Sequence, residues 1–278
     1  MSIVVNAIEK VGLTVPSISK INKTVEKVAL NEVKPYEDKF EDLNLMSEKP
    51  EPGKIVNEAY NETLDVTTWK LANGVTVIVK PTKFQNDLIS MSGFRPGGSS
   101  IAPDSLYISA RNAGTIIGSS GINKISKRDL EKMNMGKTLN VSPSIYFYEE
   151  LFAGQSSNKD LEELFQMTHL YFTKPNRDEN IFDAYKEKLK SKRKNQDKNP
   201  EAYFEKKISK VMTKNHLRGT QVTEQQIEEG LNLNHAFDFY KNRFASANEF
   251  TFIFVGSFQI DALKEYVTQY LGLSLIHI

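Results

Sequence analysis

The chain has 278 residues, enough for one large domain or two smaller ones, and its 39% hydrophobic content is typical of a globular protein and excludes wholesale disorder. Its 36 basic and 35 acidic residues give a formal charge of +1, which provides no electrostatic signature for nucleic acid or anionic lipid. Cysteine is absent from the sequence, and this excludes disulfides, a thiol nucleophile and cysteine-based zinc sites.

The N-terminal part lacks the pattern of a secretory signal, and no stretch is long and apolar enough to cross a bilayer. We therefore expect no membrane segment and no nucleic-acid partner. Residues 2–8 (SIVVNAI) predict a short buried strand, and the pattern from Pro16 and Ser17 to about Val28 predicts a helix. The stretch 31–52, rich in Glu, Lys and Pro, predicts an extended polar linker.

A run of strands follows the linker. The predicted strands are KIVNEAY (54–60), VTTWKL (66–71), VTVIVKP (75–81) and DLISMSGFR (87–95). Asn73-Gly74 lies between the second and third of them and is the strongest short signal for a hairpin.

The next segment, 103–118, carries apolar residues spaced four, three and four apart, namely Leu106, Ala110, Ala113 and Ile117. This spacing predicts a helix, with Pro103 in its first turn and Gly118 and Gly121 at its end. A second helix is predicted at 126–133, where Ser126 can cap the N-terminus.

The remaining elements alternate in blocks. Residues 138–157 predict two strands, with Pro143 at a bend or an edge, and Tyr146 and Tyr148 share a face that covers the core or lines a groove. Helices are predicted at about 158–172, 179–197, 200–214, 223–230 and 235–244, then a buried strand at 249–258 and a helix at 259–271. This order predicts an α+β fold with a mainly antiparallel sheet and helices packed on one face.

No catalytic constellation is visible in the sequence. The four histidines, His169, His216, His235 and His277, show no H-E-x-x-H or H-x-x-E-H spacing, and His169 is interpreted as a packing residue. Neighbouring carboxylates such as Glu149 and Glu150 point in different directions, so they form no dyad. The turn at residues 95–100 (RPGGSS) could cradle an anion, although a purely structural turn is the alternative.

Four segments in sequence resemble the second half of insulinase-type, or pitrilysin-type, zinc peptidases, most of all their long single-chain bacterial members. They are WKLANGVTVIVKPTKFQNDLISMSGFRPGGSS (69–100), SKRDLEKMNMGKTLNVSPSI (126–145), NKDLEELFQMTHLYFTKPNRDENIFDAYKEKLK (158–190) and HAFDFYKNRFASANEFTFIFVGSF (235–258). The resemblance spans about 50–272 and implies the metallopeptidase-like α/β roll of that family.

The resemblance further implies a clamshell of four homologous domains, of which the first binds zinc through an H-x-x-E-H helix and the third repeats the fold without that motif. The helix at 104–118 takes the place of the zinc helix and carries Ser105, Ser109, Arg111 and Asn112 where ligands would be needed. The chain thus matches the non-catalytic third domain. It is expected to hold no metal and to be inactive alone, with zinc in a catalytic half outside this chain and a zinc metalloendopeptidase as the parent protein.

This comparison sets the expected domain boundaries: 1–30 as the last strand and helix of a preceding domain, 31–52 as the linker between halves, 53–272 as the non-catalytic peptidase domain, and 273–278 (LSLIHI) as a non-native tail. The chain is therefore expected to be a fragment of a bacterial protein. The compartment is not fixed by the sequence, and the resemblance points to the periplasm or cell envelope for the parent protein.

The expected partners are a peptide substrate and a catalytic H-x-x-E-H domain in cis or in trans. Arg218 could hold a substrate carbonyl or carboxylate, and the Gly97-Gly98 turn could offer backbone groups to a peptide; a solvated loop arginine and a structural turn are the alternatives. Two other functions stay open, a stand-alone inactive subunit that pairs with an H-x-x-E-H chain, and a purely structural protein-binding domain.

Overall fold

A computed structural model describes residues 3–6, 12, 14–29, 44–196 and 198–272. The chain divides into two compact units, residues 1–42 and 43–278. Most of the predicted linker and all of the predicted tail at 273–278 lie outside the described residues.

The described part of the first unit contains one helix, α1 (Ile18–Ala29), where the pattern after Pro16 and Ser17 predicts it. The buried strand predicted at 2–8 is not found in its described residues 3–6, which have no regular structure and carry the exposed side chains of Ile3, Val4 and Val5. A strand must pair its backbone groups with a neighbour, and no partner strand lies among the described residues of this unit.

The second unit is built on a sheet whose described strands follow the order β1-β2-β3-β7-β4-β6-β5. These strands are β1 (Ile55–Asn61), β2 (Val66–Leu71), β3 (Thr76–Pro81), β4 (Ile89–Pro96), β5 (Leu139–Ile145), β6 (Glu149–Ser156) and β7 (Thr251–Gly256). Neighbours pair antiparallel except for β3 and β7, which run parallel. The predicted α+β class with a mainly antiparallel sheet is confirmed.

The helices found in the described residues of this unit are α2 (Tyr107–Ser120), α3 (Lys127–Met133), α4 (Leu161–Thr173), α5 (Glu179–Gln196), α6 (Pro200–Met212), α7 (Glu224–Gly230), α8 (Leu233–Phe244) and α9 (Ile260–Tyr266), and α9 continues as a π-helical turn, Val267–Leu271.

One face of the sheet forms the core. A register row joins Val77 on β3, Phe252 on β7, Gly93 on β4 and Phe152 on β6, and each of these residues is buried. The next row carries Phe254, which stacks on Phe165 of α4 with ring centroids 5.1 Å apart. Helices therefore cover this face, as predicted, and alternate side chains point away from it.

Several local signals are confirmed. The Gly74 N–H donates to the Leu71 carbonyl at 3.0 Å, with φ of 93° at the glycine, and this turn joins β2 to β3. Ser126 caps α3 by accepting the Asp129 N–H at 3.1 Å. Pro143 lies on β5, an edge strand, where its missing N–H costs no sheet hydrogen bond.

The predicted start of α2 is wrong by one turn. The helix begins at Tyr107 rather than near Pro103, and Gly98–Ile101 forms a separate 3₁₀ turn that the sequence did not indicate. Ala102 is extended, with φ of −68° and ψ of 140°, as the residue before a proline usually is. The Arg218 side chain binds the carbonyls of Ser100 and Ala102 at this bend, so a long-range contact stabilises it.

Candidate functional site

The predicted glycine turn follows β4 and lies against the turn between β5 and β6. Gly98 has φ of 63°, and a Cβ there would lie 2.5 Å from the Glu149 nitrogen. Gly97 has φ of 138°, and a Cβ there would overlap the guanidinium of Arg243. Both positions therefore need glycine for backbone conformation and for space.

The amides of this turn are all engaged inside the protein. Gly97 donates to the Tyr148 carbonyl at 2.7 Å, and Gly98 donates to Glu150 Oε1 at 2.9 Å. The N–H groups of residues 99 and 100 donate to the carbonyls of residues 146 and 147, both at 2.8 Å. A peptide contact through these amides stays a prediction, and it would have to replace these hydrogen bonds.

A buried ion pair that the sequence reading missed supports the turn. Glu150 is fully buried, and its two carboxylate oxygens accept from Arg243, with Nε–Oε1 at 2.6 Å and Nη2–Oε2 at 3.0 Å. Arg243 also donates to the Pro96 carbonyl at 3.0 Å. The neighbouring Glu149 is exposed, so the two carboxylates do point in different directions, as predicted. No local pattern marks the pair, because β6 and α8 supply one residue each.

Arg218 is not a solvated loop residue. Its Nε donates to Asp104 Oδ1 at 3.1 Å, its Nη1 donates to the carbonyls of Ser99 and Ser100 at 3.1 Å each, and its Nη2 donates to Ala102 and again to Asp104. The guanidinium carbon lies 4.6 Å from the centroid of the Tyr107 ring. All five N–H donors of the side chain are thus used to hold the bend before α2. Substrate binding by Arg218 stays a prediction, and the observed contacts are those of a residue that positions this bend.

Two polar residues of α2, Ser109 and Asn112, are also committed to packing. Ser109 Oγ donates to the Gly230 carbonyl and accepts the Asn232 N–H, both at 3.0 Å. Asn112 Oδ1 accepts from the Tyr185 hydroxyl at 2.7 Å, which joins α2 to α5. Serine, arginine and asparagine do not supply the nitrogen, thiolate or carboxylate donors that zinc requires, so this helix does not fit a zinc site. Among the described residues, no group of three or more His, Cys, Asp or Glu could hold a metal ion.

His169 is a buried packing residue, as predicted. Its Nδ1 lies 3.0 Å from the Tyr270 carbonyl, and burial of the ring lowers the pKa of the imidazole despite that hydrogen bond. The Nδ1–H of the neutral ring donates a hydrogen bond to the carbonyl and joins α4 to the π-helical turn after α9.

A cavity of about 470 Å³ opens beside the turn. Its walls come from α2, from the turn between β5 and β6, from α5 and α6, and from the loop 213–223 that carries Arg218. Tyr146 lines this cavity and is about half exposed, and Tyr148 is 74% exposed. Of the two predicted roles for these tyrosines, lining a groove therefore describes Tyr146, and neither ring covers the core.

Comparison with known proteins identifies relatives of this fold, although no known family model matches the chain. Over 105 residues, 38% of this chain, the sequence is 34% identical to a zinc protease PQQL-like protein of Arabidopsis thaliana, of which the match covers 11%.

Three solved structures share the fold. The periplasmic protease PqqL from Escherichia coli is similar over 92% of this chain and 28% of its own, with a TM-score of 0.73 and 19% identity. The ferredoxin protease FusC, solved in complex with Arabidopsis ferredoxin, is similar over 94% and 29%, with a TM-score of 0.73 and 18% identity. A peptidase M16 inactive domain from Pseudomonas fluorescens is similar over 74% and 50%, with a TM-score of 0.59 and 14% identity.

These findings support the resemblance to the non-catalytic domain of insulinase-type, or M16, metallopeptidases. The sequence match is to a zinc protease, and the fold is that of two proteases and of an inactive domain. The chain spans 11% of the curated relative and 28% of PqqL, well under two thirds of either.

Proposed function

We propose that this chain forms the non-catalytic wall of the peptide chamber of an insulinase-type zinc peptidase. Residues 53–272 would be the domain that encloses the peptide, and an H-x-x-E-H domain, in cis or in trans, would supply the chemistry. Zinc in that catalytic domain would supply the activation of water for hydrolysis of the peptide bond. The residues of this chain would hold the substrate and exclude bulk solvent.

One observation carries the proposal: the chain has the peptidase fold, but Ser109 and Asn112 of α2, which the resemblance aligns with positions where zinc ligands would be needed, are packing residues. Ser109 and Asn112 of α2 hydrogen-bond to the segments around α7 and α5, and the glycine turn before the helix is fixed by Glu150 and Arg243. The strand, turn and helix are thus held by internal contacts and form a surface without zinc ligands. Such a surface can shape a chamber without carrying out a reaction.

The relatives support a protein or peptide substrate and a place in the cell envelope. PqqL is described as periplasmic, and FusC was solved with a protein, ferredoxin, bound to it. We propose the same substrate class and the same kind of bacterial compartment for the parent of this chain. Among its described residues, no helix is long and apolar enough to span a membrane.

Reconstitution tests the proposal. The purified chain is incubated with fluorogenic peptides, with and without zinc, and then with a zinc-loaded H-x-x-E-H half of a long bacterial insulinase-type peptidase. We expect no cleavage by the chain alone and a chelator-sensitive rise in cleavage over the catalytic half alone. Chelator-sensitive cleavage by this chain on its own would overturn the proposal, and so would the absence of both a complex and a rate increase.

The reading frame upstream of the first codon distinguishes a catalytic domain in cis from one in trans. Translation of the DNA upstream of the first codon into an H-x-x-E-H motif supports a catalytic domain in cis. A promoter and start site directly before that codon supports a separate subunit that pairs in trans.

A further inference from the structure

We propose that the cavity beside α2 is a carboxylate-binding pocket for a peptide, and that Arg111 is the residue that contacts the carboxylate. The inference rests on the proposed function only in taking a peptide as the ligand. The location and charge of the pocket follow from this chain alone.

The walls of the cavity carry basic side chains and no acidic ones among the described residues. Three arginines line it from three separate elements, Arg111 on α2, Arg193 on α5 and Arg218 on the loop 213–223, and no Asp or Glu is found among its described lining residues. Like charges that surround one cavity repel each other, so an anion that enters the cavity lowers the electrostatic free energy. The pocket therefore favours a negatively charged group.

Two of the three guanidinium groups are held in place by the protein. Arg218 uses its donors on Asp104 and on the carbonyls of the bend before α2. Arg193 Nη1 donates to the amide oxygens of Gln196 at 2.7 Å and Gln221 at 3.5 Å. These contacts fix both side chains in the wall of the cavity. The ion pair with Asp104 offsets the charge of Arg218, so Arg218 adds little net charge to the lining.

Arg111 differs from the other two arginines. It is exposed, and its guanidinium carbon lies 5.6 Å from the centroid of the Tyr107 ring, the same ring that Arg218 covers. It forms no hydrogen bond or ion pair with any other part of the chain that the structure describes. Its planar fork of donors is therefore available, and that fork matches the two oxygens of a carboxylate.

The rest of the lining fits a peptide better than an inorganic ion. Tyr107, Tyr146, Phe147 and Ile145 give the cavity an aromatic and aliphatic wall. A volume of about 470 Å³ lies within the usual range for ligand pockets of roughly 300–1,000 Å³ and is large enough for an amino-acid residue with its neighbour. The carboxylate can belong to the C-terminus of the peptide or to an Asp or Glu side chain, because both present the same two oxygens.

Fluorescence anisotropy with three labelled peptides of one neutral core sequence tests the inference. The first peptide has a free C-terminus, the second is amidated and contains one glutamate, and the third is amidated and uncharged. We expect at least one carboxylate peptide to bind about tenfold more tightly than the uncharged one, the gain typical of a charged hydrogen-bonded pair. The tighter of the two carboxylate peptides identifies the source of the carboxylate.

Substitutions then assign the contact. Arg111→Gln should abolish the preference for a carboxylate, and Arg111→Lys should keep part of it, because lysine retains the charge and loses the fork. Arg128→Gln is the matched control, since Arg128 is exposed on α3 and does not line the cavity. Circular dichroism melts confirm that each variant is folded.

Three results would overturn the inference: equal binding of all three peptides, a preference that survives Arg111→Gln, or an equal loss in Arg128→Gln. The outcome is separate from that of reconstitution. Carboxylate-selective peptide binding with neither a complex nor a gain in cleavage refutes only the chamber role, and a gain in cleavage without a carboxylate preference refutes only the pocket.

Discussion

Glu150 and Arg243 lie 93 residues apart in the sequence and form a two-point ion pair beneath the glycine turn. The Glu150 carboxylate also accepts the Gly98 N–H, and Arg243 also donates to the Pro96 carbonyl. The pair therefore links β6 to α8 and fixes both ends of the turn. Since Glu150 is fully buried, loss of either partner leaves a buried charge with no counter-charge.

Replacement of Glu150 by glutamine is expected to lower the free energy of unfolding by about 3–5 kcal/mol, because Arg243 then keeps a buried charge without a carboxylate. Urea denaturation of the variant and the wild type measures the difference. Glu149→Gln is the control, since that neighbour is exposed, and it should change the stability by less than about 0.5 kcal/mol. Similar losses in the two variants would contradict the assigned role of the pair.

Gly98→Ala and Gly136→Ala separate steric overlap from backbone strain. Both glycines have positive φ, 63° and 78°, but a Cβ at Gly98 meets backbone atoms at 2.5 Å, and a Cβ at Gly136 meets nothing within 4 Å. We expect a loss of about 1 kcal/mol at Gly136 from strain alone and about 3 kcal/mol or more at Gly98. Thermal and urea unfolding give both values, and equal losses would show that the turn can move aside.

Arg218→Lys tests whether this arginine positions the bend before α2 or only binds the substrate. Lysine keeps the charge but cannot reach Asp104 and three carbonyls together, so we expect a loss of about 2 kcal/mol and faster amide exchange in residues 97–106. Hydrogen exchange followed by mass spectrometry measures the second effect, with Arg128→Lys as the control. Unchanged exchange together with weaker peptide binding would instead assign Arg218 to the substrate.

Because His169 is buried, we expect the free energy of unfolding to fall as the pH drops below neutrality. Burial lowers the pKa of its imidazole in the folded state, so the unfolded chain, with a pKa near 6.5, takes up a proton first as the pH falls. The neutral His169 ring makes its full contribution to the free energy of unfolding above pH 6.5. This contribution is lost as the pH drops through the pKa of His169 in the folded state.

Urea midpoints measured on both sides of pH 6.5 check this prediction. The wild type should lose more stability on acidification than His169→Gln, whose side chain does not titrate. The control, His235→Gln, replaces an exposed histidine and should keep the wild-type slope. If His169→Gln lost stability on acidification as steeply as the wild type, a group other than His169 would cause the pH dependence.

The elements that the sequence predicts are those whose signals are local. The Asn73-Gly74 turn and the Ser126 cap each depend on residues within three positions of one another, and both are confirmed. The bend before α2 combines a local effect, the extended residue that precedes Pro103, with contacts from Arg218, more than a hundred residues away. No local signal indicates the contacts from Arg218.

The difference between local signals and long-range contacts also explains which features of the candidate site could be predicted from the sequence. The lack of zinc ligands on α2 is readable from residue types, since the helix carries serine, arginine and asparagine. The Glu150–Arg243 pair and the grouping of Arg111 with Arg193 and Arg218 arise only when distant elements pack together. No spacing rule along the chain marks either of them.

The position of β7 has a consequence for synthesis of the protein. β7 lies between β3 and β4, both of which leave the ribosome more than a hundred residues earlier. At ordinary translation rates the facing edges of β3 and β4 would wait roughly ten to thirty seconds for their shared neighbour. During that time the nascent chain exposes two unpaired strand edges, which makes it a substrate for chaperones and slows its folding.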